Sequence, residues 1–239
     1  MREIIQSLST GKTKVEDIPA PSISDQEVLI KTKASIISAG TEKMLVEFGK
    51  ANLISKIKKQ PDKVIDVLEK IKNDGLINTL ESVKSKLDQP ISLGYSNVGI
   101  IQKVGKNVSG FKVGDRVVSN TPHAELVCAS KNLVALIPDN VDDESACFTV
   151  IASIGLQGIR LADPKFGESV VVIGLGLIGI LTAQMLKANG CNVIGIDPIK
   201  SKRDLAESLG IKTYFSEKKK DILNWVNTHT NQIGADAVL

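Results

Sequence analysis

One stretch, Val170–Gly179 (VVVIGLGLIG), constrains this chain more than any other. An apolar run rich in β-branched residues meets Gly174-Leu175-Gly176-Leu177-Ile178-Gly179, and a helical pattern, LTAQMLKANG, follows at once. Roughly twenty residues on, a second apolar run, VIGID, ends in Asp197. Strand, tight glycine turn, helix, strand and acid is the order that binds a dinucleotide. Gly174 permits the turn, Gly176 lets the backbone approach a pyrophosphate, and Gly179 lets the helix pack close to the strand. Leu177 and Ile178 open the helix, whose N-terminal N–H groups attract an anion. Asp197 is placed to accept hydrogen bonds from both hydroxyls of an adenosine ribose.

The same run admits one other reading, because no charge falls between Ser169 and Leu186. A bilayer span needs about 20 apolar residues, and 18 or so is the short limit. Three glycines at fingerprint spacing and the exit through Lys187 and Asn189-Gly190 favour a buried strand and helix.

A chain of 239 residues holds one large or two modest domains. Hydrophobic content of 42% and charged content of 24% are those of a globular protein, and a net charge of +3 is too small to imply nucleic acid. No secretory h-region follows the N-terminus. The three cysteines, Cys128, Cys147 and Cys191, are scattered and odd in number, which fits a reducing, cytoplasmic setting and offers no CxxC framework. With only His123 and His229, a multi-histidine metal site is excluded.

The N-terminal part reads as β-rich. Glu27–Lys33 alternates apolar and charged residues like a half-buried strand. Val98–Val104, the turn Phe111–Asp115 leading into a strand, Ala124–Ala129 and Leu133–Ile137 continue the pattern, with Gly and Pro between them, as in a small barrel or sandwich. Between these lies residues 43–89, helical by pattern. Val64, Ile65, Leu68 and Ile71 form one stripe after Pro61, and Leu76, Leu80, Val83 and Leu87 another after Gly75. Ten lysines against seven acids make this segment either a solvated amphipathic helix pair or a lid or partner-binding arm. From Ser145 a helix is expected through Ala162, then strands and helices alternate to Leu239, the pattern of a parallel sheet.

These segments in this order resemble the medium-chain dehydrogenase/reductase superfamily, the zinc alcohol dehydrogenase-like enzymes. The resemblance rests on KVEDIPAPSISDQEVLIKTKASIISAGTE, LGYSNVGIIQKVGKNVSGFKVGDRVV, HAELVCASKNLVALIPDNVDDESAC and the glycine-turn region with DPIKSKRDLAESLG. It implies an α/β plus β fold. Residues 1–150 would form a GroES-like β-barrel domain with a helical insertion at about 43–90, and residues 151–239 the first half of a Rossmann domain. The helical segment, with KQPDKVIDVLEKIKNDGL, is similar to a narrower group of bacterial bi-domain oxidoreductases linked to polysaccharide biosynthesis. On that likeness the chain is the N-terminal part of a longer enzyme. Its expected partners are a small-molecule substrate, a fused C-terminal oxidoreductase half and a second copy of the complete chain, with neither nucleic acid nor membrane.

The departures from the family bear on chemistry. Where zinc-dependent members place a cysteine, a His-Glu pair and a last ligand, this chain has Ala39, Tyr95-Ser96 and the neighbourhood of Thr149. Those side chains are poor zinc ligands beside thiolate and imidazole, so no metal site is expected. Thr41 aligns with the hydroxyl residue that starts the family's proton relay, or serves as a turn residue after Gly40. Tyr95 takes a ligand's place, either donating a hydrogen bond to substrate or filling the vacated space. His123 is expected to be structural and His229 solvent-facing. Asp197 favours NAD over NADP, and Lys202 matches a family position near the adenosine ribose. Lys200, Lys202 and Arg203 together offer the opposing case of a 2′-phosphate site. The resemblance thus implies a zinc-independent NAD(P)-dependent oxidoreductase acting on a carbonyl or alcohol, sugar-related in the narrower group. The competing reading is a non-catalytic nucleotide-binding module or an inactive piece of a larger enzyme.

Overall fold

The computed structural model describes residues 1–50 and 89–239. Most of the lysine-rich helical segment expected at 43–89 therefore lies outside the described residues. The chain divides into two units, Met1–Phe148 and Thr149–Leu239.

The first unit is antiparallel. Its strands are β1 (Arg2–Gln6), β2 (Thr13–Asp17), β3 (Glu27–Ser35), β4 (Ile91–Ser92), β5 (Asn97–Val104), β6 (Arg116–Ser119), β7 (Leu126–Ser130) and β8 (Val134–Leu136), with helix α1 (Ala39–Lys50) after β3. Five strands form a sheet in the order β7-β3-β5-β6-β8 and three form a second, β2-β1-β4. A bridge between Glu3 and Ala124 links the two, flanked by bonds from Ile4 N–H to the His123 carbonyl and from Leu93 N–H to the Ile4 carbonyl. Val28, Ile30, Ile101, Val117, Ala124, Val127 and Ala129, all but Ala124 on the five-stranded sheet, pack into one core cluster.

β3 departs from simple alternation. Val28, Leu29 and Ile30 are all buried, because β3 is an inner strand and its pairing with β5 shifts register between Leu29 and Ile30. Such an irregularity lets neighbouring side chains share a face. The stretch before β7 also differs, since His123 and Ala124 precede the strand rather than belong to it. Gly40 and Thr41, open to a reading as turn residues, lie in the first turn of α1.

The helix expected from Ser145 to Ala162 is two helices. α2 (Asp143–Ala146) is capped by Asp142, whose carboxylate accepts from the Ser145 N–H, and α3 (Thr149–Ala162) opens the second unit. Then follow β9 (Ser169–Ile173), α4 (Leu177–Ala188), β10 (Asn192–Ile196), α5 (Lys200–Ser208), β11 (Lys212–Tyr214), α6 (Lys219–His229) and β12 (Ala237–Val238). The sheet is wholly parallel, in the order β11-β10-β9-β12.

A parallel strand covered on both faces needs a continuous apolar run, and Val170, Val171 and Val172 are buried in succession. One face carries Ile159 of α3, Ile180, Ala183 and Leu186 of α4, and Ala206 of α5. The other carries Val226 of α6 with Ile222 and Trp225. The chain winds outward through β9, β10 and β11 on one side, then returns through α6 to β12 on the other, a doubly wound order with a switch point between β9 and β12. The uncharged run that left a bilayer span open is strand β9 plus helix α4. Among the described residues no helix is long and apolar enough to cross a membrane.

Candidate active site

The glycine turn between β9 and α4 is shaped by three different constraints. Gly174 has φ +94°, a left-handed conformation that a side chain resists. At Gly179 an added Cβ would run into the Gly174 carbonyl oxygen, so the helix rests directly on the turn. At Gly176 an added Cβ would meet nothing within 4 Å. Gly176 is the N-cap of α4 and gives the helix no side-chain cap. Open space therefore faces a helix N-terminus whose first-turn residues, Leu177, Ile178 and Gly179, present backbone N–H groups. This is the cradle a pyrophosphate requires, built from dipole and donors without a side chain in the way.

Asp197 stands one residue beyond β10, with its side chain only 3% exposed. Its Oδ2 accepts from the Leu175 N–H at 2.8 Å and its Oδ1 from the Ile199 N–H at 2.8 Å. The carboxylate thus ties the glycine turn to the end of the neighbouring strand. Burial alone would push its carboxyl up, but the Ile199 and Leu175 N–H groups and the Lys202 ammonium outweigh that and hold it below its ordinary range. Oδ1 keeps a second lone pair for a ribose hydroxyl, while Oδ2 is shared between the Leu175 N–H and the Lys202 ammonium.

The three nearby cations differ in their attachments. Lys202 reaches Asp197 at 3.5 Å. Lys200 is bound to the Asp204 carboxylate at 2.8 Å. Arg203 donates to the carbonyls of Asp197 and Pro198, and its guanidinium lies 5.9 Å from the centre of the Phe215 ring. The structure brings Asp197 and Lys202, both singled out in the sequence, together as a pair. Sequence reasoning missed Leu175 and Ile199, which act through backbone N–H groups and so leave no side-chain signal.

In the first unit, Thr41 is exposed on the first turn of α1 and Tyr95 is half-buried between β4 and β5. Ala39, at the lost cysteine's place, is exposed. Ser96 is buried and its hydroxyl donates to the Cys147 carbonyl at 2.6 Å, a structural use of a ligand's place. Burial pushes the Cys147 thiol up, and Asp143 and Glu144 add to the effect, so this thiol resists becoming the thiolate that a metal binds. Thr149, in the second unit, is exposed at the start of α3. Among the described residues no group of three or more His, Cys, Asp or Glu is arranged to hold a metal ion.

His123 is buried, and its partners were not visible in the sequence. Its Nδ1 lies 2.8 Å from the Ser35 hydroxyl and its Nε2 3.1 Å from Glu42 Oε2. Glu42 and Ser35 went unnoticed because they lie 81 and 88 residues away. His229 is exposed as expected, and its ring stacks on Trp225 at 3.7 Å.

An antiparallel unit followed by a parallel sheet with a glycine-lined nucleotide cradle defines a class, the oxidoreductases that join a GroES-like domain to a Rossmann domain. Comparison with known families agrees from residue 66 onwards. The alcohol dehydrogenase GroES-like domain matches residues 66–173 and the zinc-binding dehydrogenase domain residues 178–239. The chain belongs to the medium-chain dehydrogenase/reductase superfamily.

Among its relatives, an alcohol dehydrogenase of Geobacillus stearothermophilus is 28% identical over 231 residues, covering 80% of this chain and 68% of that one. D-guloside 3-dehydrogenase of Escherichia coli is 31% identical over 151 residues, 62% of this chain and 43% of that one. Of solved structures, the alcohol dehydrogenase of Thermus sp. ATN1 superposes with a TM-score of 0.75 at 19% identity, over 100% of this chain and 69% of that one. A mycobacterial protein complexed with NADPH gives 0.72 at 22% identity, over 100% and 66%. The chain spans roughly half to two thirds of the length of such relatives.

Proposed function

We propose that this chain is part of a zinc-independent, NAD-preferring dehydrogenase/reductase that interconverts an alcohol and a carbonyl, with a sugar or sugar derivative as substrate. The observation that carries the reading is the open backbone cradle at Gly176, set at the N-terminus of α4 and backed by the buried Asp197 carboxylate. Held there, a nicotinamide cofactor supplies the hydride acceptor or donor. The chain's own residues do the rest. Gly176 and the first turn of α4 seat the pyrophosphate, and Asp197 accepts from the adenosine ribose. A 2′-phosphate would meet that carboxylate, while Lys200 and Arg203 are engaged elsewhere, which supports NAD over NADP.

Zinc independence is supported by donor chemistry. Ala39, Tyr95, Ser96 and Thr149 bring neither thiolate, imidazole nor carboxylate, and a catalytic zinc takes three protein ligands of those kinds and a water. Carbonyl polarisation then falls to hydrogen-bond donors, for which the Thr41 hydroxyl and the Tyr95 phenol are the candidates. The likeness to a glycoside dehydrogenase supports the sugar-related substrate.

NADH and NADPH fluorescence titrations test the reading. Gly176→Val puts branched carbon into the cradle and should weaken NADH binding at least about 100-fold, equivalent to about 2.8 kcal/mol. Circular dichroism should remain that of the parent. Unchanged NADH affinity in that variant refutes the cofactor site. Tighter binding of NADPH than NADH by the parent protein refutes the choice of nucleotide.

A further inference from the structure

We propose that His123 and Glu42 form a buried strut that positions both Thr41 and Tyr95. Their place in the reaction rests on the function proposed above, whereas the strut itself rests on geometry.

The pair is closed off from solvent, with side-chain exposures of 6% for His123 and 8% for Glu42. Its contacts run in two directions. Towards α1, the imidazole meets Glu42 Oε2, while Glu42 Oε1 accepts from the Ser38 N–H at 2.8 Å, just before the helix begins. The helix start is thereby locked, and Thr41 is the residue beside Glu42. Towards the other candidate, the backbone N–H of His123 donates to the Leu93 carbonyl at 2.8 Å. The next residue, Gly94, has φ +91°, and a Cβ there would lie 2.6 Å from imidazole ring atoms. The ring therefore lies flat against the backbone immediately before Tyr95.

His123 thus braces the two segments that carry the candidate hydrogen-bond donors, by its ring against Glu42 and Gly94 and by its backbone against Leu93, and Ser35 fixes the ring's third side through Nδ1. A buried imidazole and carboxylate require good hydrogen bonds on every side, and a hydrophobic pair of similar volume would fill the space at less desolvation cost. What the polar pair adds is orientation. His123 and Glu42 are positioning residues, acting through Thr41 and Tyr95 rather than on substrate.

Tyr95 and Tyr214 are the only tyrosines, so Tyr214→Phe leaves Tyr95 as the sole phenol to follow by solvent-perturbation ultraviolet difference spectroscopy, which reads its exposure. In that background His123→Ala and Glu42→Ala should raise the exposure of the Tyr95 phenol while leaving NADH affinity at the parent value. Turnover of NAD with D-sorbitol as probe should fall on the order of 100-fold in kcat, the loss expected from about 1 Å of misplacement. Glu42→Gln keeps an acceptor for the Ser38 N–H and donates to a neutral imidazole, so it should restore most of the parent's Tyr95 exposure. Should His123→Ala not fold, His123→Gln, which keeps a donor towards Glu42, takes its place. An unchanged Tyr95 exposure in both alanine variants overturns the strut. A raised exposure with unchanged turnover upholds the strut and overturns the role of Tyr95 in the reaction.

Discussion

Removing the Asp197 carboxylate should destabilise the second unit as well as weaken nucleotide binding, and the size of the effect follows from its partners. In Asp197→Ala two N–H groups lose their acceptor. Leu175 is 2% exposed, so its N–H is left without water, which costs about 1–3 kcal/mol. Ile199 is 49% exposed, so its N–H turns to solvent and only the net bond is lost, about 0.5–1.5 kcal/mol. Lys202 is 40% exposed and 3.5 Å away, so its pairing adds less than about 1 kcal/mol. Relief from burying a charge offsets part of this, and the expected loss is about 2–4 kcal/mol. Asp197→Asn should lose nearly as much, because its amide turns a donor towards one of the two N–H groups. Urea unfolding followed by Trp225 fluorescence measures it. Trp225 is the only tryptophan and packs on the cluster of Val171, Ile194, Ile196 and Val226 in the same unit. A loss under about 1 kcal/mol would show that the bonds to Leu175 and Ile199 do not hold the turn.

Within the same turn, Gly179→Ala should cost at least about 3 kcal/mol, because the clash is with a backbone oxygen that cannot move aside, whereas Gly176→Ala should be nearly neutral for stability. Urea midpoints of equal size for the two variants would contradict this. Because the folded Asp197 carboxyl titrates below its ordinary value of 3.8, its stabilisation is present above that pH and fades as pH falls through the folded value. The gap in stability between the parent and Asp197→Ala should therefore narrow in acid, and a gap that widens as pH falls would refute the assignment. Elemental analysis of protein purified without chelators should find no stoichiometric zinc, and about one tightly held zinc per chain would refute the donor-set argument.

The glycine turn and the site proposed on it are legible in the sequence because their determinants are local. Gly174, Gly176 and Gly179 sit within one turn, and their tasks follow from the absence of a Cβ. β9 reads as a buried parallel strand because three valines in succession have no alternation to offer. The single acid at the end of the next apolar run then falls beside the glycine turn, where the proposed site would hold a ribose. None of this needed a contact between distant residues.

What only the tertiary structure decided lies in long-range pairings and in backbone donors. Nothing in the neighbourhood of His123 foretells Glu42 or Ser35, since antiparallel strands bring together residues whose separation in the chain carries no pattern. Nor does the alternation in Glu27–Lys33 reveal that Val28, Leu29 and Ile30 are all enclosed, because a register shift depends on the partner strand. Asp197 illustrates the division within one residue. Its type and spacing marked it for the ribose, while its second task, holding Leu175 and Ile199 by their N–H groups, arises from how the turn folds back over the end of β10. Periodicity and glycine spacing report local backbone preference, whereas a buried polar pair exists only once packing excludes water and each group must find its partner.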